Sequence, residues 1–306
     1  MTRPLLIILF ILVVGSNLKA QQLSQYSQYQ YSLFVINPAY AGNKDKVQGL
    51  ITERKQWVGI EGAPHSQALN FHMPFKNRKM GLGVSVFNET IGAHGTISAF
   101  GSYSYSIRSA ESSLSFGLRA GFFSYRIIQA NISYRDENDP GALSNVQSNF
   151  IPAFDFGMHY YKRNFMAGFS ITNLTESEIK LTGDNVTTNN LKRHAFVYTG
   201  YVFTLSDKWK FQPTVLGKLT LNAPVNIDIN TSFIYDSRFG FGLSWRSSNT
   251  LVAMAQMWFA KNFRIGYSFD YELGLSQMSR ISGSHELFFG VDINKKNASV
   301  VNPRFL

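Results

Sequence analysis

Residues 96–108 read TISAFGSYSYSIR, and their alternation decides the fold. Ile97, Ala99, Gly101, Tyr103, Tyr105 and Ile107 fall on one face of an extended chain. Thr96, Ser98, Phe100, Ser102, Ser104 and Ser106 fall on the other. Successive side chains point to opposite sides of a strand, so this segment has one largely apolar face and one small, mostly polar face. Residues 80–86 repeat the pattern, with Met80, Leu82, Val84 and Val86 opposite Gly81, Gly83 and Ser85. Residues 263–272 do so again, with Phe263, Ile265, Tyr267, Phe269 and Tyr271 opposing Arg264, Gly266, Ser268, Asp270 and Glu272.

Working outward from these stretches, the same rule finds about fourteen segments. They lie near 47–58, 64–75, 80–88, 95–108, 113–124, 150–161, 164–173, 194–205, 208–221, 225–236, 238–247, 250–260, 262–273 and 284–294. Sandwich strands usually need about 5–6 residues, whereas a tilted strand needs about 9–11 to cross a bilayer. Most of these segments run to about 9–13 residues, long enough for that crossing, and their even number suits an outer-membrane barrel. Every second connection is short and polar: Lys76–Lys79, Ser109–Ser112, Lys162–Asn164, Ser206–Asp207, Asp236–Ser237 and Ala260–Asn262. The others are mostly longer, notably Tyr125–Asn149, Leu174–Arg193 and Gly274–Gly283. Tight turns at one end and large loops at the other are the periplasmic and extracellular ends of a barrel. Aromatics flank the short turns: Phe75, Tyr105, Tyr160 with Phe165, Phe203 with Trp209, Tyr235 with Phe239, and Trp258 with Phe263. Amphipathic rings favour headgroup depth, so these predict an interfacial girdle. The pattern predicts an all-β, transmembrane antiparallel β-barrel of about 14 strands.

Composition agrees. Charged residues make up 16% and aromatics 15%, and there is no Cys. The last fact excludes disulfide scaffolds, thiolate metal sites and a Cys nucleophile. Residues 1–20 have the form of a secretory signal: Arg3, an apolar run from Leu5 to Val14, and a cleavage site at Leu18-Lys19-Ala20. That run is too short for a membrane-spanning helix, which needs about 20 residues. The expected organisation is a signal peptide over 1–20, a periplasmic segment over 21–46 as a candidate lumen plug, the barrel over 47–294 and a tail over 295–306.

A net charge of +10 raises the question of nucleic acid. A nucleic-acid patch gathers Lys and Arg on one element among stacking aromatics. Here Lys76, Arg78, Lys79, Lys162, Arg163, Lys208, Arg238 and Lys261 sit at the short turns, where anionic outer-membrane lipid is a natural partner. Arg119, Lys210, Lys218, Arg246 and Arg264 take the inward parity and predict a polar lumen. This scatter argues against nucleic-acid binding.

Catalytic signatures are missing. Gly83-Val84-Ser85-Val86-Phe87 fails as a nucleophile elbow at its last position, and no H-E-x-x-H or Walker loop occurs. The six histidines, 65, 72, 94, 159, 194 and 285, are dispersed, so neither a metal nor a cofactor is expected. Asp155, His159 and Glu286 share the inward parity, where pairing within a buried polar network accounts for them without a catalytic role.

The segment QQLSQYSQYQYSLFVINPAYAG, residues 21–42, precedes the first strand. It is either a disordered periplasmic tail or an ordered plug entering the lumen or capping its mouth. Tyr26, Tyr29, Tyr31, Phe34 and Tyr40 favour order.

At these residues the sequence resembles the PorP/SprF family of the Bacteroidota type IX secretion system. Gln25-Tyr26-Ser27-Gln28-Tyr29 leading to Asn37-Pro38-Ala39-Tyr40-Ala41-Gly42 resembles the family's opening, with Tyr26 where Phe is common. Arg54-Lys55-Gln56-Trp57 sits where the family has its R-x-Q-W strand. Met80-Gly81-Leu82-Gly83, then Gly92 and Ser102-Tyr103-Ser104-Tyr105, form a third match. Gly283-Ser284-His285-Glu286 and Pro303-Arg304-Phe305 form a fourth, although the chain closes on Leu306 rather than an aromatic.

The resemblance implies an outer-membrane barrel shaped like the long-chain fatty-acid transporters, without enzymatic activity. It also implies one of two roles. The favoured one is a dedicated partner that helps export a secreted adhesin, or attaches it to the surface, through its C-terminal domain, linking the protein to gliding motility. The other is a core component working with periplasmic ring and motor proteins. Candidate contact residues are Arg135, Asp136, Glu137 and Asp139 in the longest loop; a solvated loop tip explains them equally well. A channel for small hydrophobic molecules and an outer-membrane hydrolase are further alternatives.

The facing assignment has a direct test. Leu118 takes the outward parity, so Leu118→Arg should cost about 2–4 kcal/mol if it lies at the midplane. Arg at inward Ser104 should do less electrostatic harm. Denaturant titrations of the refolded barrel that show equal tolerance at both positions contradict the facing.

Overall fold

The computed structural model describes residues 25–43, 46–128, 150–179, 189–221, 223–273 and 282–294. Fourteen long strands make the wall. They are β1 (Lys46–Lys55), β2 (His65–Pro74), β3 (Met80–Ile91), β4 (His94–Arg108), β5 (Ser112–Ile127), β6 (Ile151–Lys162) and β7 (Phe165–Thr172). They continue with β8 (His194–Tyr201, extended by Phe203–Thr204), β9 (Trp209–Thr220), β10 (Asn226–Tyr235), β11 (Phe239–Arg246), β12 (Thr250–Phe259), β13 (Phe263–Glu272) and β14 (Ser284–Asn294). Each pairs antiparallel with its sequence neighbour, and β14 returns to β1 in a register running from Lys46↔Asn294 to Lys55↔His285. That closure leaves the wall without an edge, which a sheet in hydrocarbon requires because no water is present to satisfy open backbone groups. A small pair of two-residue strands, Glu178–Ile179 with Asn189–Asn190, stands apart in the β7–β8 connection.

Alternation becomes inside and outside. Along β4, Tyr103, Tyr105 and Ile107 are exposed on the outer surface, while Ser98, Phe100, Ser102, Ser104 and Ser106 are buried. Leu118 is 60% exposed and Ser104 only 1%, so the assigned facings hold. A lipid-facing Leu contacts hydrocarbon, whereas a lumenal Ser loses water only because other protein atoms fill the lumen. Ser104 in fact donates its hydroxyl to the Ala41 carbonyl. An Arg there would displace that neighbour, so it tests more than electrostatics.

Three details differ from the sequence reading. The first strand ends at Lys55, and Trp57 lies in the turn beyond it with φ 45°. Its indole N–H donates to Glu272 Oε1 at 2.6 Å and its backbone N–H to Ser284 Oγ at 3.1 Å, which holds the β1–β2 connection against β13 and β14. Trp258 faces inward and packs on Ile234, so the lipid-facing rings beside that turn are Phe259 and Phe263. The β3–β4 connection is a two-residue turn, although it lies at the end where the long loops gather.

The short turns at the other end include two reversals with successive residues at positive φ: Asp236 and Ser237 at 48° and 52°, and Ala260 and Lys261 at 44° and 64°. Two such residues make the type I′ geometry that matches strand twist, for which Gly is better suited than Ser or Ala. Ser237→Gly should therefore stabilise the barrel by about 0.5–1 kcal/mol. Equilibrium unfolding of the refolded protein in urea measures it, and a loss of stability would overturn the turn assignment.

Candidate functional site in the lumen

Residues 25–43 lie inside the barrel as three short 3-10 turns, Tyr29–Tyr31, Leu33–Val35 and Pro38–Tyr40. A chain in this position has exchanged water for protein, so its backbone N–H and C=O groups need partners. The inward polar side chains of the wall supply them. Arg264 donates to the Tyr31 carbonyl at 2.8 Å. Arg119 donates to the carbonyls of Phe34 and Val35. Ser170 donates to Ile36 O at 2.7 Å and Ser104 to Ala41 O at 2.6 Å. Glu286 accepts the N–H groups of Ser27 at 2.7 Å and Gln28 at 3.0 Å.

Asn37 is the most constrained residue of the segment. It is fully buried, and its Oδ1 accepts the Ala39 N–H at 2.9 Å, capping the turn that Pro38 begins. Its Nδ2 donates to Met158 O at 2.8 Å and to the Tyr198 hydroxyl at 3.0 Å. Pro38 suits a first-turn position because its missing N–H is not needed there. Gly42 turns the chain at φ 67°, and its N–H reaches His72 Nδ1 at 3.1 Å. The wall makes room by using glycine: a Cβ at Gly117 would overlap Ala39, one at Gly157 would overlap Asn37, and one at Gly81 would overlap the Ala41 carbonyl.

Five buried cations meet five anions around this segment. Arg54 pairs with Asp270 at 2.7 Å and Glu286 at 3.3 Å; Arg246 pairs with Asp228 at 3.3 Å and Asp270 at 3.7 Å. Lys218 meets Asp228 at 2.8 Å, Arg119 meets Asp155 at 3.6 Å and Arg264 meets Asp292 at 3.5 Å. Ser27 joins the centre of the network, donating to Asp270 at 2.6 Å and accepting from Arg54 at 3.0 Å. Removing one member would strand the others without water.

These contacts fix the direction of the segment. Asp270 and Glu286 lie near the strand ends that carry the long connections, so Ser27 is there too. Gly81, Pro74 and Ser104, which receive Ala41 and Gly42, lie near the short turns. The chain therefore descends through the lumen before entering β1.

The structure places Asn37, Pro38, Ala39, Tyr40 and Gly42 in the lumen toward the short turns and Arg54 in the lumen toward the long connections, and leaves Trp57 outside it. Asp155, His159 and Glu286 do not form one site. Asp155 serves Arg119 and the Asn173 N–H, His159 Nδ1 meets the Tyr198 hydroxyl at 2.8 Å, and Glu286 belongs to the Arg54 cluster. Arg135, Asp136, Glu137 and Asp139 lie outside the described residues. Asp228 and Asp292 were not singled out from the sequence, although inward parity on a strand was the available signal. Among the described residues, no group of three or more His, Asp or Glu is placed to hold a metal ion. At the short turns Arg163 hydrogen-bonds Glu111 and holds its carboxyl below the usual carboxylate range. At the opposite end, a cavity of about 130 Å³ opens between Tyr26 and Tyr29 of the segment and Phe100 and Phe123 of the wall.

Two variants separate the charge network from the packing. Arg54→Ala leaves Asp270 and Glu286 short of a cation and should cost about 3–5 kcal/mol in equilibrium unfolding. Gly117→Val should keep the barrel but expel the segment, giving open conductance steps in planar bilayers. Wild-type stability in the first, or a silent bilayer in the second, would contradict these roles.

Comparison with known proteins now bears on this architecture. Residues 18–291 match the family model described as type IX secretion system membrane protein PorP/SprF. No curated protein matches. Among solved structures, the Acinetobacter baumannii outer membrane protein Omp33 aligns at 9% identity and TM-score 0.47, covering 81% of this chain and 98% of its own. The Pseudomonas putida toluene transporter TodX aligns at 11% identity and TM-score 0.45, covering 89% and 95%. A Pseudomonas aeruginosa FadL homologue aligns at 12% and 0.42, covering 84% and 91%. These likenesses concern architecture alone. The family match takes in both the lumenal segment and nearly all of the wall, and this outer-membrane barrel therefore belongs to the PorP/SprF family of type IX secretion system membrane proteins.

Proposed function

We propose that this barrel is a non-enzymatic holding partner of type IX secretion. In this reading it helps export a large adhesin-like protein, or attaches it to the cell surface, through that protein's C-terminal domain. The observation that carries the reading is the lumenal segment. Its turns are bonded to strands all around the barrel, from Ser27 near one end to Gly42 near the other. A lumen occupied in this way, with its charges internally paired, suits a docking platform better than a conduit. The segment acts as a plug, and Asn37-Pro38-Ala39-Tyr40 with Gly42 set its path. The partner meets the long connections, where Arg135, Asp136, Glu137 and Asp139 are the first residues to substitute.

A second reading has its own support. Lys76, Arg78, Lys79, Lys162, Arg163, Lys208, Arg238 and Lys261 crowd the short turns, against Glu111, Asp207 and Asp236. A basic rim facing the periplasm suits a ring or motor component as well as anionic lipid.

Deletion of the gene separates the two. For a dedicated partner, one adhesin disappears from the surface while other substrates of the system are still exported. Loss of all of them makes the protein a core component, and normal display of every substrate rejects both. Affinity isolation from outer membranes in mild detergent identifies the chain that co-purifies.

A further inference from the structure

The outer cavity carries two polar atoms that the barrel itself does not use. His194 on β8 and Thr172 on β7 are directly opposed in the β7–β8 register, and both side chains line the cavity. His194 is 6% exposed and Thr172 8%. The Nδ1 of His194 meets the Thr220 hydroxyl at 2.8 Å, whereas its Nε2 and the Thr172 hydroxyl have no hydrogen-bond partner among the described residues. A buried polar group without a partner is costly, so two on neighbouring strands, facing one cavity, mark a place where a partner is expected.

The remaining wall specifies what that partner looks like. Phe87, Phe100 and Phe123 pack edge to face, at 6.2 Å and 5.4 Å between successive centroids, and Phe196 and Leu216 extend the apolar lining. Every charged side chain in the lining is already engaged. Arg119 holds Asp155 and two plug carbonyls, Lys218 holds Asp228, and Glu89 accepts from Ser66. No cation is left over to balance an anionic ligand, and burying one unpaired is expensive.

We propose that this cavity is a binding site for a small neutral amphiphile, with an aromatic or branched apolar body and one hydroxyl or amide group. The apolar body packs on the Phe87–Phe100–Phe123 cluster, and the polar group bonds His194 Nε2 and the Thr172 hydroxyl. An amide or hydroxyl both donates and accepts, so it fits whichever tautomer the Thr220 contact imposes on His194. Tyr26 and Tyr29 form one side of the site, so a bound ligand rests against the lumenal segment. The site stands independently of the secretion role.

The test uses the full chain in amphipol, free of detergent micelles, with phenylacetamide, phenylacetate and ethylbenzene as calorimetric probes. Phenylacetamide should bind at one saturable site, with the other two about tenfold weaker or more, since each lacks either neutrality or the polar group. Thr172→Val, nearly isosteric, and His194→Phe should each weaken phenylacetamide about tenfold and leave ethylbenzene unchanged. Heat-modifiable migration on gels verifies that each variant is a folded barrel, and Thr172→Val alone decides the matter if His194→Phe does not fold. Absence of saturable phenylacetamide binding overturns the proposal. So does equal binding of phenylacetamide and ethylbenzene, tighter binding of phenylacetate, or wild-type affinity in Thr172→Val. Surface display of the secreted partner in cells carrying Thr172→Val is a separate readout, expected to be normal, that reports on the secretion role alone.

Discussion

The guanidinium of Arg54 is the constraint on which the rest of this barrel depends. It projects from β1, meets Asp270 of β13 and Glu286 of β14, and donates to the hydroxyl of Ser27. One side chain thus joins the strand that closes the cylinder, the strand it closes against, the next strand beyond it and the segment that fills the interior. Ion pairs of this kind give little net stability, because the cost of desolvating both charges offsets their attraction. Their effect is on position. A barrel that closed in another register would take Asp270 and Glu286 away from Arg54, and a segment that entered at another height would take away Ser27.

From that follows a protein with two solvents and two rules. Outside, Leu, Phe, Tyr and Ile face hydrocarbon. Inside, Ser, Gly, Asn and paired charges face the lumenal segment and supply the hydrogen bonds that water would otherwise provide. The small inward residues are there because a second layer of chain must fit within the wall. Gly117 and Gly157 show this plainly, since a methyl group at either would overlap the Asn37–Ala39 turn. The polar composition of the segment has the same origin, for an apolar segment could not engage a wall of hydroxyls, carboxylates and guanidinium groups.

The charge balance is distributed accordingly. The buried network of five cations and five anions is neutral, so the net +10 of the chain belongs to the turns and other segments outside it. Electrostatic attraction toward a partner or a lipid surface is therefore concentrated at the ends of the cylinder, where long-range fields act through water rather than through the wall. The interior holds the lumenal segment by shape and hydrogen bonding, and an aromatic-walled cavity lies beside the long connections.

The sequence alone determined the wall. Alternation is a local property with a fixed period of two, so the strands, their facing and their hairpin pairing were legible from residues such as those of 96–108, within about three residues at the ends. Exceptions occur where local signals mislead: Trp57 lies within the segment 47–58 yet turns at positive φ, and Trp258 is an aromatic beside a turn that faces the wrong way for a girdle. Parity also placed Arg119, Lys218, Arg246 and Arg264 inside. Only the tertiary structure decided what they meet. The carboxylate partners of Arg54 are more than two hundred residues away in sequence, and Asn37 reaches Met158 and Tyr198 on two other strands. Contacts across a closed lumen have no sequence period, because the strands that face one another there are brought together by closure and not by succession along the chain.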